Sequence, residues 1–438
     1  MSKFIMMSIV IVLVHVFSLV TTGYGADLND VLTLREALNM ALSDNTLITE
    51  AIEKEKAAVD DKRSAWADFL PKLSTKYSYT RLKDTPYAIF GPSKIDVGDN
   101  DVYHWDVTVY QPIFTGFAIL TRYRMAKLGV VTKEIERCQA RLEVAKKVKI
   151  AYFNILLARE LYSVAGEEVT QLESHLRDAE RFYEQGMIPY NDLLKSRVAL
   201  ANAKQNRVVA ESRVEMAIAQ LNTLLRLNIN RRTKVEDMLE IPPSSFDLDK
   251  LFKEALDNRP ELKALRVALK NSDYVTRLAQ SSYYPEIALI GTYEQNGDNL
   301  EATNNEFGNA HNMSITLQAT WRFFEWGKTK AQVSKYRHLK RSLCEKLKGI
   351  QNSIKLEVKN AFLNLKVAKV NIKTAKVALD QARENYRITN LQYQQQMATT
   401  TDVLDARTFL TQAETNYYGS RYGYMISLAE LERAVGKI

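Results

Sequence analysis

Two carboxylates three residues apart, Asp402 and Asp405, close the uncharged stretch LQYQQQMATTTDVLDAR at 391–407. A third, Asp192, stands in a stretch of the same kind, RFYEQGMIPYNDLLKSR at 181–197. At the start of a helix, residues three apart share a face, and negative charge there suits the positive end of the helix dipole. The local chemistry open to such residues is helix capping, in which a carboxylate accepts backbone N–H bonds. Other reactive side chains form no constellation. WGKT at 326–329 ends like a phosphate-binding loop, but the upstream glycine that loop requires is Arg322. The five histidines include no i, i+4 pair, and Asp96, Asp99 and Asp101 read as an exposed loop rather than a calcium site. Cys138 and Cys344 lack both a CxxC partner and a histidine at metal-ligand spacing, so neither a disulfide framework nor a zinc site is expected. With no triad and no acid–base pair, the chain reads as a non-enzyme that needs neither cofactor nor metal.

Of 438 residues, 46% are hydrophobic, which is compatible with a packed structure. The 60 Lys and Arg are interspersed with 52 Asp and Glu instead of forming a basic stripe, so nucleic acid is not an expected partner. Lys3 precedes an apolar run from Phe4 to Val20, and Gly23 and Gly25 stand before a cut ahead of Ala26. Residues 1–25 therefore read as a signal peptide for export. No cysteine follows that cut, so lipid attachment at a mature N-terminus is not available. Beyond it no run approaches the roughly eighteen apolar residues of a membrane-spanning helix. A chain that crosses a membrane without such a helix must use strands.

The sequence repeats itself at an offset of about 210 residues. VKIAYFNILLA at 148 matches VKNAFLNLKVA at 358, AQLNTLL at 219 matches AELERAV at 429, and Tyr183, Met187, Asp192, Leu194 and Arg197 match Tyr393, Met397, Asp402, Leu404 and Arg407. Upstream the offset grows by a few residues, where ALSDN at 41 meets ALDNR at 255 and FLPKLSTKYSY at 69 meets YYPEIALIGTY at 283. This predicts two repeats, 26–227 and 251–438, around a linker at 228–250. Each would run helix, strand, loop, strand, helix, turn, helix.

Strands are indicated by a period of two. Leu73, Tyr77 and Tyr79 alternate with Ser74, Lys76 and Ser78, and Tyr103, Trp105, Val107 and Val109 with His104, Asp106 and Thr108. In the second repeat, Met313, Ile315, Leu317, Ala319, Trp321 and Phe323 alternate with Asn312, Ser314, Thr316, Gln318, Thr320 and Arg322. The hairpins are expected at about 73–113 and 287–323, with exposed loops at 82–101 and 296–309. Long helices follow at 118–225 and 328–435. Proline-free runs of nearly seventy residues would span about 100 Å at ~1.5 Å per residue. Their apolar spacing and their small-residue return helices predict a coiled-coil-like bundle.

Four strands with one greasy and one wet face leave open edges that hydrocarbon does not tolerate, so they must close with copies. Two chains would give eight strands and a filled interior, whereas three would give twelve and room for water. A soluble sandwich would hide the aromatic face, but the flanking helices offer no second sheet. The wet face of Ser, Thr, Gln, Lys and Arg favours the water-filled interior, so the predicted fold is mainly α with transmembrane β: a 12-stranded barrel from three chains, four strands per chain, continued by a long coiled-coil-like helical bundle. Tyr77, Tyr79, Tyr103, Trp105, Trp321 and Phe323 are its membrane-facing aromatics.

The two-fold repetition, the FLPKLSTKYSY and YYPEIALIGTY strand entries, the YQPIFTGF and WRFFEWGK returns to helix and the DLLKSR and DVLDAR turns resemble the TolC family of bacterial outer-membrane efflux proteins. The likeness covers nearly all of the chain after residue 25. It implies a homotrimer set in outer-membrane lipid, with a helical tunnel in the periplasm, an equatorial region around 228–250, and two partners, a periplasmic adaptor and an inner-membrane pump. It also implies that the two helix-to-helix turns form the periplasmic end. There Asp402 and Asp405 would constrict the pore, and six carboxylates from three chains would attract cations, repel anions and, where crowded, have raised pKa values. Tyr393, Tyr190, Asp192 and Gln396 would be gate or tip contacts, and Gly186, Met187, Met397 and Ala398 would dock the adaptor. The sequence departs from the family at Gln396, where glycine is usual, and at Ala398, where a basic residue can stand. The function implied is a passive exit duct for efflux or type I secretion. A protein-secretion component and a structural coiled coil are the other readings open.

Overall fold

The computed structural model describes residues 31–237 and 246–438. The signal peptide expected at 1–25 and part of the 228–250 linker lie outside the described residues. In chain order the elements are α1 (Leu34–Asp44), α2 (Thr46–Ala67), β1 (Lys72–Arg81), β2 (Tyr87–Phe90), β3 (Ser93–Asp96), β4 (Asp101–Thr115), α3 (Ala118–Glu184), α4 (Tyr190–Leu224), α5 (Leu248–Asn258), α6 (Pro260–Gln280), β5 (Glu286–Gly297), β6 (His311–Thr320), α7 (Lys328–Gln394) and α8 (Thr400–Val435). The helix expected before each strand pair is two helices. Asn45 ends α1 and caps α2, its Oδ1 accepting from Leu47 N at 3.0 Å. Pro260 at the first turn of α6 breaks the second pair, because it cannot donate back into α5.

Helices α3 and α7 each run 67 residues without interruption. Gly129, Gly166 and Gly349 lie within them beside open space and do not break them. At ~1.5 Å per residue each spans about 100 Å, too long for a globular core, and α4 and α8 fold back along them. Among the described residues no helix is long and apolar enough to cross a membrane.

The four long strands form one antiparallel sheet in the order β1–β4–β5–β6. β4–β5 pairing joins the two hairpins, so β1 and β6 are the edges. The register sorts side chains by polarity: Leu73 sits opposite Val109, Tyr77 opposite Trp105, Tyr293 opposite Met313 and Leu289 opposite Leu317. A shift between Pro112 and Phe114 accommodates a proline that cannot donate to the ladder. The 82–101 segment is more ordered than a plain loop, since β2 and β3 make a small hairpin of their own. Strand β6 stops at Thr320, so Trp321 and Phe323 lie just past it; the expected alternation to 323 overran the last ladder bond.

The largest buried core lies midway along the helices, where both halves of the chain meet: Val148, Ile155 and Leu221 from one, Val358, Leu365 and Leu431 from the other. Tyr152 ties this core to the segment after α4. Its hydroxyl lies 2.9 Å from Leu32 O and 2.8 Å from Glu236 O, and burial pushes its pKa up to about 12, so it remains a proton donor. Nearby, the buried Arg259 binds Glu261 through two nitrogens at 2.9 and 3.0 Å. It also reaches Glu357 at 2.9 Å and the Ala434 carbonyl at 3.1 Å, locking the end of α8 to α6 and α7.

Sheet and helices join at Gly116, where φ is +59° and a Cβ would lie 2.4 Å from the Ser281 carbonyl oxygen. Only glycine satisfies both the left-handed backbone and the close approach of α6. Gly116→Ala is therefore expected to destabilise the chain by at least about 2 kcal/mol. Denaturation of purified protein checks this, and an unchanged midpoint would show that the junction tolerates the displacement.

Candidate functional site

The turns joining α3 to α4 and α7 to α8 have the same backbone. In each, a residue past the helix end is left-handed, Gly186 at φ +69° and Gln396 at φ +61°. Met187 N donates to Phe182 O at 2.8 Å and Gly186 N to Tyr183 O at 2.9 Å; Met397 N donates to Gln392 O at 2.8 Å and Gln396 N to Tyr393 O at 2.9 Å. These paired bonds are the Schellman pattern, which satisfies the last carbonyls of a helix. Glutamine in the second turn costs about 1 kcal/mol relative to glycine. Its side chain gains a contact in return, because Gln396 Nε2 lies 2.8 Å from Met187 Sδ and links the two turns. A second link runs from Lys195 Nζ to Thr401 Oγ1 at 3.3 Å. Met187 and Met397 stand out into solvent with Gly186, and Ala398 is half-buried.

Asp402 caps its own helix. Its Oδ2 accepts from Thr399 N and from Thr399 Oγ1, both at 2.7 Å, and Asp402 N donates to Thr399 Oγ1 at 3.2 Å. These bonds hold its carboxyl below the usual carboxylate range, because the backbone N–H favours the anion. Within one protomer this is opposite to the rise expected from crowding. Asp402 and Asp405 are both exposed and flank the buried Val403 and Ala406. Asp192 holds the corresponding place in α4 and pairs with Lys195 at 2.9 Å. Tyr190 is exposed and stacks against Tyr183 at 5.4 Å.

Tyr393 lies inside the cluster of helix ends at the turns. It is 2% exposed and packs within its own protomer, 4.7 Å from the His175 ring and 5.4 Å from Phe182, with its hydroxyl near Thr400 Oγ1 at 3.3 Å. Tyrosine is large and mostly apolar, so the space between four helix ends draws it inward. His175, which the sequence did not single out, is the buried base of this cluster. Burial depresses its pKa to about 4, and Nε2 lies 3.2 Å from Ser196 Oγ. Farther along α8, the buried Arg407 stands 3.6 Å from Glu414 and 5.8 Å from the Tyr386 ring centre. Its sequence counterpart Arg197 is exposed and pairs with Glu180.

The sheet presents a second functional surface. One face carries Leu73, Tyr77, Tyr79, Tyr103, Trp105, Met313, Ile315 and Leu317, and on the β6 edge Met313 is 72% exposed and Ile315 69%. Polar atoms on this face are paired: Tyr77 Oη donates to Leu300 O at 2.6 Å, Tyr79 Oη to Asp101 Oδ1 at 2.7 Å and Trp105 Nε1 to Thr75 Oγ1 at 2.9 Å. Trp321, Phe323 and Trp326 gather at the helix end of the sheet, all exposed. The opposite face bears Lys76, Asp106, Glu294 and Asn312 in one cross-strand row. Asn312 Nδ2 donates to Glu294 at 3.3 Å and Thr108 Oγ1 to Asp106 at 3.1 Å. A sheet greasy on one side and charged on the other separates lipid from water.

Comparison with known proteins agrees with this geometry. The family model described as "Outer membrane efflux protein" matches residues 37–225 and 251–437. Outer membrane protein TolC of Escherichia coli K12 is 22% identical over 302 residues, 66% of this chain and 60% of that protein, so the chain spans less than two thirds of this relative's length. Outer membrane protein TolC of Vibrio cholerae is 20% identical over 416 residues, 92% of this chain and 91% of that protein. The crystal structure of the Campylobacter jejuni CmeC outer membrane channel superposes with a TM-score of 0.78 at 18% identity, covering 92% of this chain and 85% of that one.

Two outcomes are expected at the turns. Gln396→Gly removes about 1 kcal/mol of backbone cost and slows amide exchange at Met397, while Gly186→Gln speeds exchange at Met187; equal exchange in both would refute the strain. His175 has its folded pKa depressed, so its contribution to stability is present above 6.5 and is lost as pH falls toward about 4. Exchange near Ser196, corrected for intrinsic rates, should rise across that window, and His175→Phe should abolish the rise.

Proposed function

The chain belongs to the outer membrane efflux protein family, and from that membership we propose that three copies form a passive exit duct from the periplasm through the outer membrane. The family is one of outer-membrane conduits rather than enzymes, with the helical part in the periplasm. Each copy would contribute four strands to a twelve-stranded barrel, β6 of one pairing with β1 of the next. Two internal repeats, 26–227 and 251–438 around an equatorial linker at 228–250, would set the six-fold pseudo-symmetry of the tunnel.

The observation that carries this reading is the exposed apolar face of a sheet whose two edges have no strand beside them among the described residues. In water such a surface aggregates, and in lipid its edges leave backbone groups unpaired. Closure with copies resolves both. The row of Lys76, Asp106 and Glu294 would then line water, and the aromatics Tyr77, Tyr79, Tyr103, Trp105, Trp321 and Phe323 would meet lipid.

At the far end, Asp402 and Asp405 of three copies would ring the pore, with Asp192, Tyr190 and Gln396 contributing contacts around it and Tyr393 supporting them from within the tip. Asp402 would serve twice, as cap and as ring member, since a carboxylate bonded to Thr399 keeps its charge. The exposed Met187, Gly186 and Met397, with Ala398, would meet an adaptor whose inner-membrane pump supplies the energy. The pair of methionines suits an apolar, adaptable tip contact. Chemistry on the cargo, a cofactor and a metal have no place in this reading.

Outer-membrane detergent extracts should yield a heat-modifiable trimer; a soluble periplasmic monomer would exclude the duct. In planar bilayers, Asp402→Ala with Asp405→Ala should weaken block by multivalent cations and reduce cation preference. Unchanged block would remove these residues from the pore ring.

A further inference from the structure

Where the sheet meets the helices, an open groove of about 540 Å³ lies between the start of α3 and the end of α6. Its walls carry Phe117, Arg124, Arg277, Gln280, Tyr283 and Tyr284. Three observations specify its chemistry. First, neither Arg124 nor Arg277 has an ion-pair partner among the described residues; Arg277 rests near the Tyr274 ring at 5.6 Å, and the nearby Asp273 is taken by Lys340 at 2.6 Å. Second, Leu120 and Thr121 of the first turn of α3 line the groove; the N-cap Phe117 is left-handed and gives no side-chain bond, and although Thr115 Oγ1 accepts from Ile119 N at 3.4 Å, the positive end of a 67-residue helix lies beside the same space. Third, the groove is continuous with the apolar face of the sheet. Phe114 pairs with Ile287 on that face, and its ring meets Phe117 at 5.3 Å and Tyr284 at 6.3 Å.

Two unneutralised guanidinium groups, a helix N-terminus and exposed aromatic rings at the end of a lipid-facing surface are the parts of a headgroup site: cations for phosphate oxygens, rings for the glycerol and upper acyl region. We propose that this groove binds the phosphate headgroup of an anionic phospholipid in the periplasmic leaflet, a reading that rests on the barrel proposed above. The corresponding groove at the start of α7 differs. There Arg322 and Lys328 are accompanied by Glu286 and Glu325, so of these two grooves the one at the α3–α6 junction carries the net positive charge. Gly116 is what lets the groove form, because any larger residue would push α6 off α3.

The test is native mass spectrometry of the assembled full chain, delipidated and titrated separately with phosphatidylglycerol, phosphatidylcholine or inorganic phosphate. The wild type should retain phosphatidylglycerol with at least about a fivefold preference over phosphatidylcholine, in line with the attraction of each basic residue for anionic lipid. Arg124→Gln with Arg277→Gln should bring the ratio near unity, and the control Arg207→Gln with Arg213→Gln, exposed on α4, should leave it intact. A preference that survives the first pair overturns the site. Adducts of inorganic phosphate without retained phosphatidylglycerol would make it a free-anion site and overturn the lipid assignment. The same spectra report the assembly mass, so a monomer, which would sink the barrel, is seen separately from a trimer that lacks lipid preference.

Discussion

The backbone groups along the outer edges of β1 and β6 constrain everything else in this molecule. Each strand is ten residues long and, among the described residues, has a neighbour on one side only. In hydrocarbon each orphaned N–H or C=O costs several kcal/mol, more in total than a typical domain's stability. The apolar face has the complementary difficulty, since water is as poor a solvent for it as lipid is for the edges. A sheet with both properties calls for partner strands, which the closure proposed above supplies from further copies of the chain. The helices inherit that requirement. Beyond the mid-length core and the shorter seams toward the tip they keep Val198, Val208, Met216, Leu356, Val367 and Val370 exposed, apolar surface that the assembly proposed above would cover.

Much of this was legible in the chain because strand and helix periods are local. Met313, Ile315 and Leu317 announce a face whatever surrounds them, and the uninterrupted α3 and α7 follow from the lack of proline. The junctions were not legible. Asn45 and Pro260 split what reads as one amphipathic run, and the β2–β3 hairpin hides in a loop whose Gly and Pro signal only a turn. At the candidate site the limits were of another kind. Tyr393 and Tyr190 look alike in sequence, yet one is buried among four helix ends and the other exposed, a distinction that only tertiary packing makes. Arg197 and Arg407 hold matched positions with opposite burial for the same reason. His175 gave no signal, since a lone histidine in a helical pattern has no spacing to betray it.

The two turns show how one backbone can be held by different chemistry. Gly186 adopts its left-handed conformation freely, and its helix α4 begins with Pro189 and no side-chain cap. Gln396 adopts it under strain, and α8 begins with a capping box of Thr399 and Asp402. The second turn is thus bound more tightly at its start and less comfortably at its end. Gln396 also touches Met187, so the strained position of one turn is the one that contacts the other.

The equal length of α3 and α7 has a mechanical consequence. Both leave the sheet from one level and reach turns that touch each other, so they act as matched struts. Deleting one residue from either would draw its turn back by ~1.5 Å and rotate it by about 100°, parting Lys195 from Thr401 and Gln396 from Met187. Length variation in these helices is therefore tolerable only when both change together, and in whole turns, which makes the span of the pair a fixed ruler for the distance between membrane and tip.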